Sequence, residues 1–386
     1  MRYILLLFVF LISYGSLYPF HFSGDLLPFS EFISWLFNLS YRTTKADIVA
    51  NILLFMPFGF VSVMMVSASR KLFINVCWLY LGGTILAFFL QYLQFYLPAR
   101  VPSAVDALYN SLGIVIGMLL SHVIKLYSQL HLSHDYSKPK DWSQITIPLI
   151  LALIWVAWRL FPFVPVFTTK SMLAAVSPLM QQPELSFSLI IRDLFGWLIF
   201  FYLLTRPPFD KLPRFRVLKI IFYIFGLEII IRNNTITVND MLSALIAFAL
   251  FASLTAEQLN KGLTRGLGVA IILTLISPFV IAQPSNEYLW LPFKALMKGN
   301  PWANGELLLL KIYLYASFIY MLKQIWFDWL GSALITVGLL VIISIIQIYI
   351  GTQNPEFTDP LLAVIIAWAL SQVEKTAEDE RAMAIN

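Results

Sequence analysis

The sequence consists of long apolar runs that alternate with short polar stretches. The runs are about 17 to 22 residues long, and about 20 apolar residues let a helix cross a bilayer. Apolar residues follow one another without the period of two that a membrane β-barrel requires, so helices are favoured. The pattern predicts an all-α protein, a polytopic transmembrane helical bundle with no large soluble domain.

We predict about twelve spans from this pattern. The predicted spans are residues 3–20, 47–69, 74–96, 105–127, 145–161, 188–205, 217–232, 240–256, 266–282, 306–323, 330–350 and 359–373. The first run follows Arg2 and has the form of a secretory signal, but no small-x-small cleavage site follows it. It ends in Ser16-Leu17-Tyr18-Pro19-Phe20, whose Pro-Phe pair recurs later, so we interpret it as a retained helix.

The distribution of basic residues predicts the orientation in the membrane. With the N-terminus inside, sixteen of the 26 Lys and Arg residues fall in cytoplasmic segments and ten lie in or near outer loops. Because Lys and Arg are enriched in cytoplasmic loops, both termini are predicted to be cytoplasmic. The acidic tail, residues 374–381, is interpreted as a solvated end.

The composition agrees with a membrane protein whose partner is the lipid bilayer. Hydrophobic residues make up 59% of the chain and charged residues 12%, with a mean hydropathy of +0.79. Soluble domains carry about 25% charged residues. We attribute the net charge of +5 to membrane topology, so no nucleic acid is expected as a partner.

Residues that bind metals or form disulfides are scarce. Cys77 is the single cysteine and lies in an apolar run, which excludes a disulfide framework and a thiolate metal site. His131 and His134 have a spacing that metals use, but Ser, Lys and Pro surround them, so a solvated loop is the better interpretation. No metal and no cofactor are predicted.

Polar residues recur in the same order in three parts of the chain. The repeated positions are Pro19-Phe20, Pro162-Phe163 and Pro278-Phe279; Asn51, Arg192 and Lys311; Gln94, Glu228 and Gln347; Arg100, Asn234 and Gln353; and Asp106, Asp240 and Asp359. The order predicts three diverged four-helix repeats, residues 1–143, 144–263 and 264–386. Each repeat has an even number of helices, so all three share one orientation in the membrane.

The first repeat contains three ordered motifs. They are Ser-Leu-Tyr-Pro-Phe at 16–20, Asp-x-x-x-Asn-x-x-Leu-Phe-x-Pro-x-Gly at 47–59 and Gln-x-x-x-x-x-Arg-x-x-x-x-x-Asp-x-x-x-Asn-x-x-Gly-x-x-x-Gly at 94–117. Together they resemble the VanZ-like family of bacterial membrane proteins over the first third of the chain. One departure is Gln91, where the family usually has Glu, which puts an acid–base role for that position in doubt.

The resemblance implies a bacterial inner (plasma) membrane protein. Its name-giving member is associated with resistance to the glycopeptide teicoplanin, and no general reaction is attached to the family. The family therefore points to the cell envelope and does not supply a reaction.

The polar residues of the first repeat converge near the outer ends of the predicted helices. They are Asp47, Asn51, Gln94, Arg100, Asp106 and Asn110. Ionisable groups at membrane depth need a partner or a cavity, so we predict an outward-facing polar pocket that binds a substrate head group. The alternative is that these residues cap helix starts and hold helices together.

Two structural charge pairs are predicted for the later repeats. Arg192 lies 48 residues before Asp240, and Lys311 lies 48 residues before Asp359. An unpaired cation in an apolar helix is costly, so each cation is expected to pair with the Asp of its own repeat. The alternative is that both cations extend to the outer head groups.

Three functions remain open from the sequence. The first is binding of an envelope glycan or lipid-linked precursor, with a link to antibiotic resistance or exopolysaccharide biology, and it ranks first. The second is a membrane enzyme acting on a lipid-linked substrate, although no catalytic constellation is recognised. The third is a small-solute transporter, which internal repeats would suit, although equivalent broken helices are not found in all three repeats.

Overall fold

The structure is a computed structural model of the 386-residue chain. It describes residues 2–23, 29–37, 44–65, 72–98, 100–132, 142–181, 185–207, 209, 212–255, 257–259, 262–263, 266–268, 271, 288–297, 300–325, 327–350 and 355–385. These residues are helical apart from short connections and two isolated β-bridges. The predicted all-α fold class is therefore confirmed.

The chain divides into two compact units, residues 1–138 and 139–386. The boundary falls near the predicted end of the first repeat, and the second unit contains the other two predicted repeats. The threefold repeat itself stays a prediction.

The first unit has five α-helices among the residues that the structure describes. They are α1 (Arg2–Leu17), α2 (Phe29–Leu36), α3 (Lys45–Met65), α4 (Leu72–Leu93) and α5 (Ala104–Leu132), with a 3-10 turn at Gln94–Tyr96. Helices α1, α3, α4 and α5 coincide with predicted spans, whereas the short α2 was not predicted.

Glycines bring α3 and α5 into backbone contact. A Cβ atom added at Gly59 would lie 2.0 Å from the carbonyl oxygen of Ile114, and one at Gly117 would lie 2.0 Å from that of Met56. Side chains larger than hydrogen are excluded there, so these motif glycines set the distance between the two helices.

The second unit has eight α-helices among its described residues. They are α6 (Trp142–Arg159), α7 (Thr169–Val176), α8 (Phe187–Leu203), α9 (Arg214–Ile230), α10 (Val238–Ser253), α11 (Pro301–Ile325), α12 (Trp329–Ile350) and α13 (Thr358–Ile385). The short α7 was not predicted, and most of the predicted span 266–282 lies outside the described residues. The core is aromatic: Trp155 stacks on Phe200 at 4.3 Å and packs edge-on to Trp197.

Five of the described helices, α3, α4, α5, α11 and α12, are long and apolar enough to cross a membrane. Helices α1, α6 and α10 are apolar but shorter, so the number of about twelve spans stays a prediction. Large apolar side chains are exposed on α4, α9 and α12, for example Trp78 at 67% and Phe222 at 69%. Such surfaces suit lipid and not water, in agreement with a protein embedded in the bilayer.

Candidate functional site

The densest group of buried charges lies in the second unit, around Arg159 at the end of α6. Its Nε and Nη2 atoms donate to the two carboxylate oxygens of Glu228 at 2.5 and 2.9 Å, and its Nη1 donates to Asp240 at 2.9 Å. The side chains of Arg159 and Glu228 are only 8% and 3% exposed. This bidentate geometry is the strongest that Arg and a carboxylate form, and it offsets the cost of burying the charges. We call these three residues the Arg159 triad.

A second ion pair lies beside the triad on α8. The Nε atom of Arg192 donates to Asp193 at 2.8 Å, and Asp193 is 3% exposed. The guanidinium groups of Arg192 and Arg159 lie 5.6 and 5.7 Å from the ring centroid of Trp158. The ring therefore provides a cation–π contact to both arginines.

Local hydrogen bonds fix the elements that carry these side chains. Thr237 and Asp240 form a reciprocal capping box at the start of α10, which holds the Asp240 carboxylate at the helix N-terminus. Asn234 donates its side-chain N–H to the carbonyl oxygen of Arg159 at 2.8 Å, which ties the end of α6 to the loop before α10.

These charges line a cavity of about 260 Å³. Its wall is formed by Trp158, Arg159, Phe161, Leu189, Arg192, Asp193, Glu228, Asn233, Asn234, Thr235, Thr237, Asp240 and Glu306. Pockets for drug-sized ligands measure about 300–1,000 Å³, so this volume suits one sugar ring or one head group. Within the described part of the chain, no group of three or more His, Cys, Asp and Glu residues could hold a metal ion.

The two predicted charge pairs have different outcomes. The Nζ atom of Lys311 lies 2.8 Å from Asp359, and both side chains are buried, so these two residues form an ion pair. Asp240 instead takes Arg159 as its partner, while Arg192 pairs with its neighbour Asp193. The 48-residue spacing assigned Arg192 as the partner of Asp240. The actual partner, Arg159, lies 81 residues before Asp240 and meets it only through the packing of the fold.

In the first unit, two of the predicted pocket residues bind the end of α1. Gln94 donates to the carbonyl oxygen of Ser16 at 3.0 Å, and Arg100 donates to the carbonyl oxygens of Gly15 and Tyr18 at 3.0 and 3.3 Å. These contacts hold helices together, which is the alternative that the sequence left open.

The other four predicted pocket residues lie along α3 and α5. Asp47 is exposed and forms a capping box with Thr44 at the start of α3, where Asn51 is half-buried one turn later. Asp106 lies in the first turn of α5, and Asn110 is 3% exposed with its Oδ1 atom lacking a hydrogen-bond partner among the described residues. That this set binds a ligand stays a prediction.

Gln91, the departure from the family motif, has a structural contact. Its Oε1 atom accepts a hydrogen bond from the backbone N–H of Ser103 at 3.1 Å, just before α5. The carboxylate of a Glu would accept the same bond, so the amide preserves this contact while removing the charge.

Three charged residues of the cavity were not selected from the sequence: Arg159, Asp193 and Glu306. Asp193 interrupts an apolar run, and an ionisable residue inside a span is a reason to expect a site. Arg159 lies at the end of an apolar run, where an ionisable residue is likewise a reason to expect a site. Glu306 has no comparable signal, because it lies near the start of its run and joins the cavity only through packing.

The fold and the buried polar groups define a helical membrane protein. The model of the family described as VanZ/LLP1 matches residues 3–125. This part of the chain is therefore assigned to the VanZ-like family, and the resemblance noted from the motifs is confirmed. Comparison with curated proteins gives no match, and comparison with solved structures gives none either.

Proposed function

We propose that this protein binds the polar head group of an envelope glycan or of a lipid-linked precursor in the cavity of its second unit. The cavity's ion pairs are the observation that carries the proposal. Burying ionised groups among apolar helices is expensive, and such groups characteristically mark a ligand or ion pathway. Here they line a partly open cavity together with two aromatic rings and two asparagines.

The composition of the wall suits a sugar or a similar polar group. Trp158 and Phe161 offer apolar faces, while Asn233, Asn234 and Thr235 offer hydrogen-bonding groups. Most small-ligand sites have a largely apolar wall with a few polar groups, whereas most of the residues lining this cavity are polar or charged, which suits a strongly polar ligand. Since the Lys and Arg distribution predicts that this end of the helices faces outward, a head group from the outer leaflet would reach the cavity.

This proposal places the ligand in the second unit and not among the polar residues of the first. Gln94 and Arg100 in the first unit bind backbone carbonyl groups, which leaves them less capacity for a ligand. The proposed link to glycopeptide resistance and envelope biology rests on the VanZ-like assignment of residues 3–125.

The test fills the cavity without altering its charges. Leu189→Trp adds volume at the cavity wall, whereas Leu185→Trp, four residues earlier and exposed just before α8, is the matched control. The probes are glucose, N-acetylglucosamine, glucosamine and a polyprenyl diphosphate-linked N-acetylglucosamine. Binding is measured by calorimetry and by the ligand-dependent rise in Tm of the purified protein in detergent.

We expect wild type and Leu185→Trp to bind at least one probe. Leu189→Trp should bind that probe at least about tenfold more weakly, which corresponds to a loss of at least about 1.4 kcal/mol of binding free energy. The proposal is wrong if no probe binds wild type. It is also wrong if Leu189→Trp and Leu185→Trp bind equally well.

A further inference from the structure

The charges that line the cavity do not balance. Its carboxylates are Asp193, Glu228, Asp240 and Glu306, and its guanidinium groups are Arg159 and Arg192. With all six ionised, the wall has an excess of two negative charges. A cavity with low-dielectric walls focuses the field of such an excess, which attracts a cation and disfavours a phosphate.

The two arginines are already engaged by protein carboxylates. Three nitrogen atoms of Arg159 donate to Glu228 and Asp240. The Nε atom of Arg192 donates to Asp193. Each guanidinium therefore has its charge offset by at least one carboxylate before a ligand arrives, which weakens both as anion receptors.

Two carboxylates retain acceptor capacity. Asp193 is 3% exposed, and its Oδ1 atom accepts from Arg192 while no donor among the described residues bonds to its Oδ2. Glu306 is exposed at the cavity wall, and no cation in the described part of the chain lies within ion-pair distance of it. An ammonium group is the complement of such a pair, since it provides three donors and one positive charge.

We propose that the cavity recognises a primary ammonium group on its ligand, with Glu306 and Asp193 as the acceptors. This inference rests on the proposed function, because it specifies the chemistry of the head group that the cavity binds. Glu306 is the specificity-determining residue of the two. It belongs to α11 and approaches a wall that α6, α8, α9, α10 and the connections after α6 and before α10 otherwise supply.

An ammonium group could reach the cavity from two sources. One is an amino sugar of an envelope glycan, and the other is the ethanolamine head group of a membrane lipid. Both present the same cation to Glu306, so a soluble probe and a lipid probe are needed to distinguish them.

The first experiment compares matched soluble probes. Glucosamine and glucose differ by an amine and a hydroxyl, and glucose 6-phosphate adds an anion instead. We expect wild type to bind glucosamine about tenfold or more tightly than glucose, because a charge-assisted hydrogen bond is roughly twice as strong as a neutral one. Glu306→Gln removes the charge and keeps the shape, and it should abolish that preference by weakening the binding of glucosamine.

Glu31→Gln is the matched control, because Glu31 is an exposed helical carboxylate of α2 in the other unit. It should bind all three sugars as wild type does. Unchanged Tm values of both variants without ligand establish that they are folded.

The second experiment distinguishes the sources. The protein is placed in nanodiscs of phosphatidylethanolamine or of phosphatidylglycerol, and retained lipid is measured by native mass spectrometry. Selective retention of phosphatidylethanolamine, lost in Glu306→Gln, assigns the ammonium to a lipid. Glucosamine preference without lipid retention assigns it to an amino sugar.

The inference is overturned if glucose binds as tightly as glucosamine and phosphatidylethanolamine is not selectively retained, or if glucose 6-phosphate binds more tightly than both other sugars. In those cases the cavity still binds a polar ligand, and the proposed function stands. If no probe binds and Leu189→Trp has no effect, the proposed function itself has failed.

Discussion

The first unit and residues 144–263 of the second satisfy the polar groups near the end of their first helix in different ways. In the first unit, Gln94 donates to the backbone at Ser16, and Arg100 donates to backbone carbonyl groups. In the second, Glu228 binds the side chain of Arg159, and Asn234 donates to a backbone carbonyl group. The predicted repeat would align Gln94 with Glu228 and Arg100 with Asn234. The cation lies in the connection before α5 in the first unit and at the end of α6 in the second.

That difference changes what the polar end of each unit can do. In the first unit, amide and guanidinium groups satisfy uncharged carbonyl oxygens at the end of α1, which is a structural arrangement. In the second unit, a guanidinium is held by two carboxylates beside a cavity. The comparison teaches that polar groups near a helix end form either a helix-to-helix tie or a charged site, depending on the one or two side chains that meet there.

Arg159→Ala should have the largest effect, a loss of about 3–5 kcal/mol of stability, because it leaves Glu228 and Asp240 buried without their partner. Arg100→Ala in the first unit should cost only about 1–3 kcal/mol, since it removes hydrogen bonds to neutral groups. Both losses are read from unfolding in detergent. Adding Glu228→Gln and Asp240→Asn to Arg159→Ala should restore part of the loss. Equal losses for the two arginine variants would remove the contrast between the units.

Gly59→Ala should rank second, with a loss of about 1–3 kcal/mol, because its new methyl group would meet the backbone of Ile114. Gly82→Ala in α4 is the matched control, since nothing lies within 4 Å of its Cβ position. It should be neutral or stabilising by up to about 1 kcal/mol. Similar Tm values for the two variants would show that α3 and α5 are not in backbone contact.

Double-mutant cycles should separate the two pairs that share a 48-residue spacing. For Lys311→Ala and Asp359→Ala we expect a coupling energy of about 0.5–3 kcal/mol, as for residues in contact. For Arg192→Ala and Asp240→Ala we expect a smaller value, since each has another ion-pair partner. A larger coupling for the second pair would reverse the assignment of Arg159.

The smallest effect on stability is expected for single cysteine substitutions at exposed positions. Labelling these cysteines tests whether the two units have the same orientation in the membrane. In a Cys77→Ala background, Val101→Cys and Arg232→Cys place thiols at exposed positions at the polar ends of the two units. Both should react with an impermeant reagent in intact cells. If Val101→Cys reacts only after permeabilisation, the predicted orientation is wrong. If only one of the two sites reacts in intact cells, the two units do not have the same orientation in the membrane.

The sequence alone determined where most helices lie. Eleven of the predicted spans coincide with described helices, because a run of apolar residues in lipid can satisfy its backbone only by internal hydrogen bonds. The capping box of Thr237 and Asp240 was not predicted, although its partners are only three residues apart. The family assignment of residues 3–125 needed only ordered local motifs.

The tertiary structure alone decided which charges meet. Glu228, Asp240 and Arg159 come from three helices, and their contact depends on how α6, α9 and α10 pack. Equal spacing in the sequence indicates which positions of the predicted repeats correspond. It does not indicate that Asp240 will contact Arg159, which lies 81 residues before it. Glu306 joined the cavity for the same reason, since α11 packs against α6 although their sequences are far apart. Ion-pair energy depends on distance in space, which the fold sets and the order of residues does not.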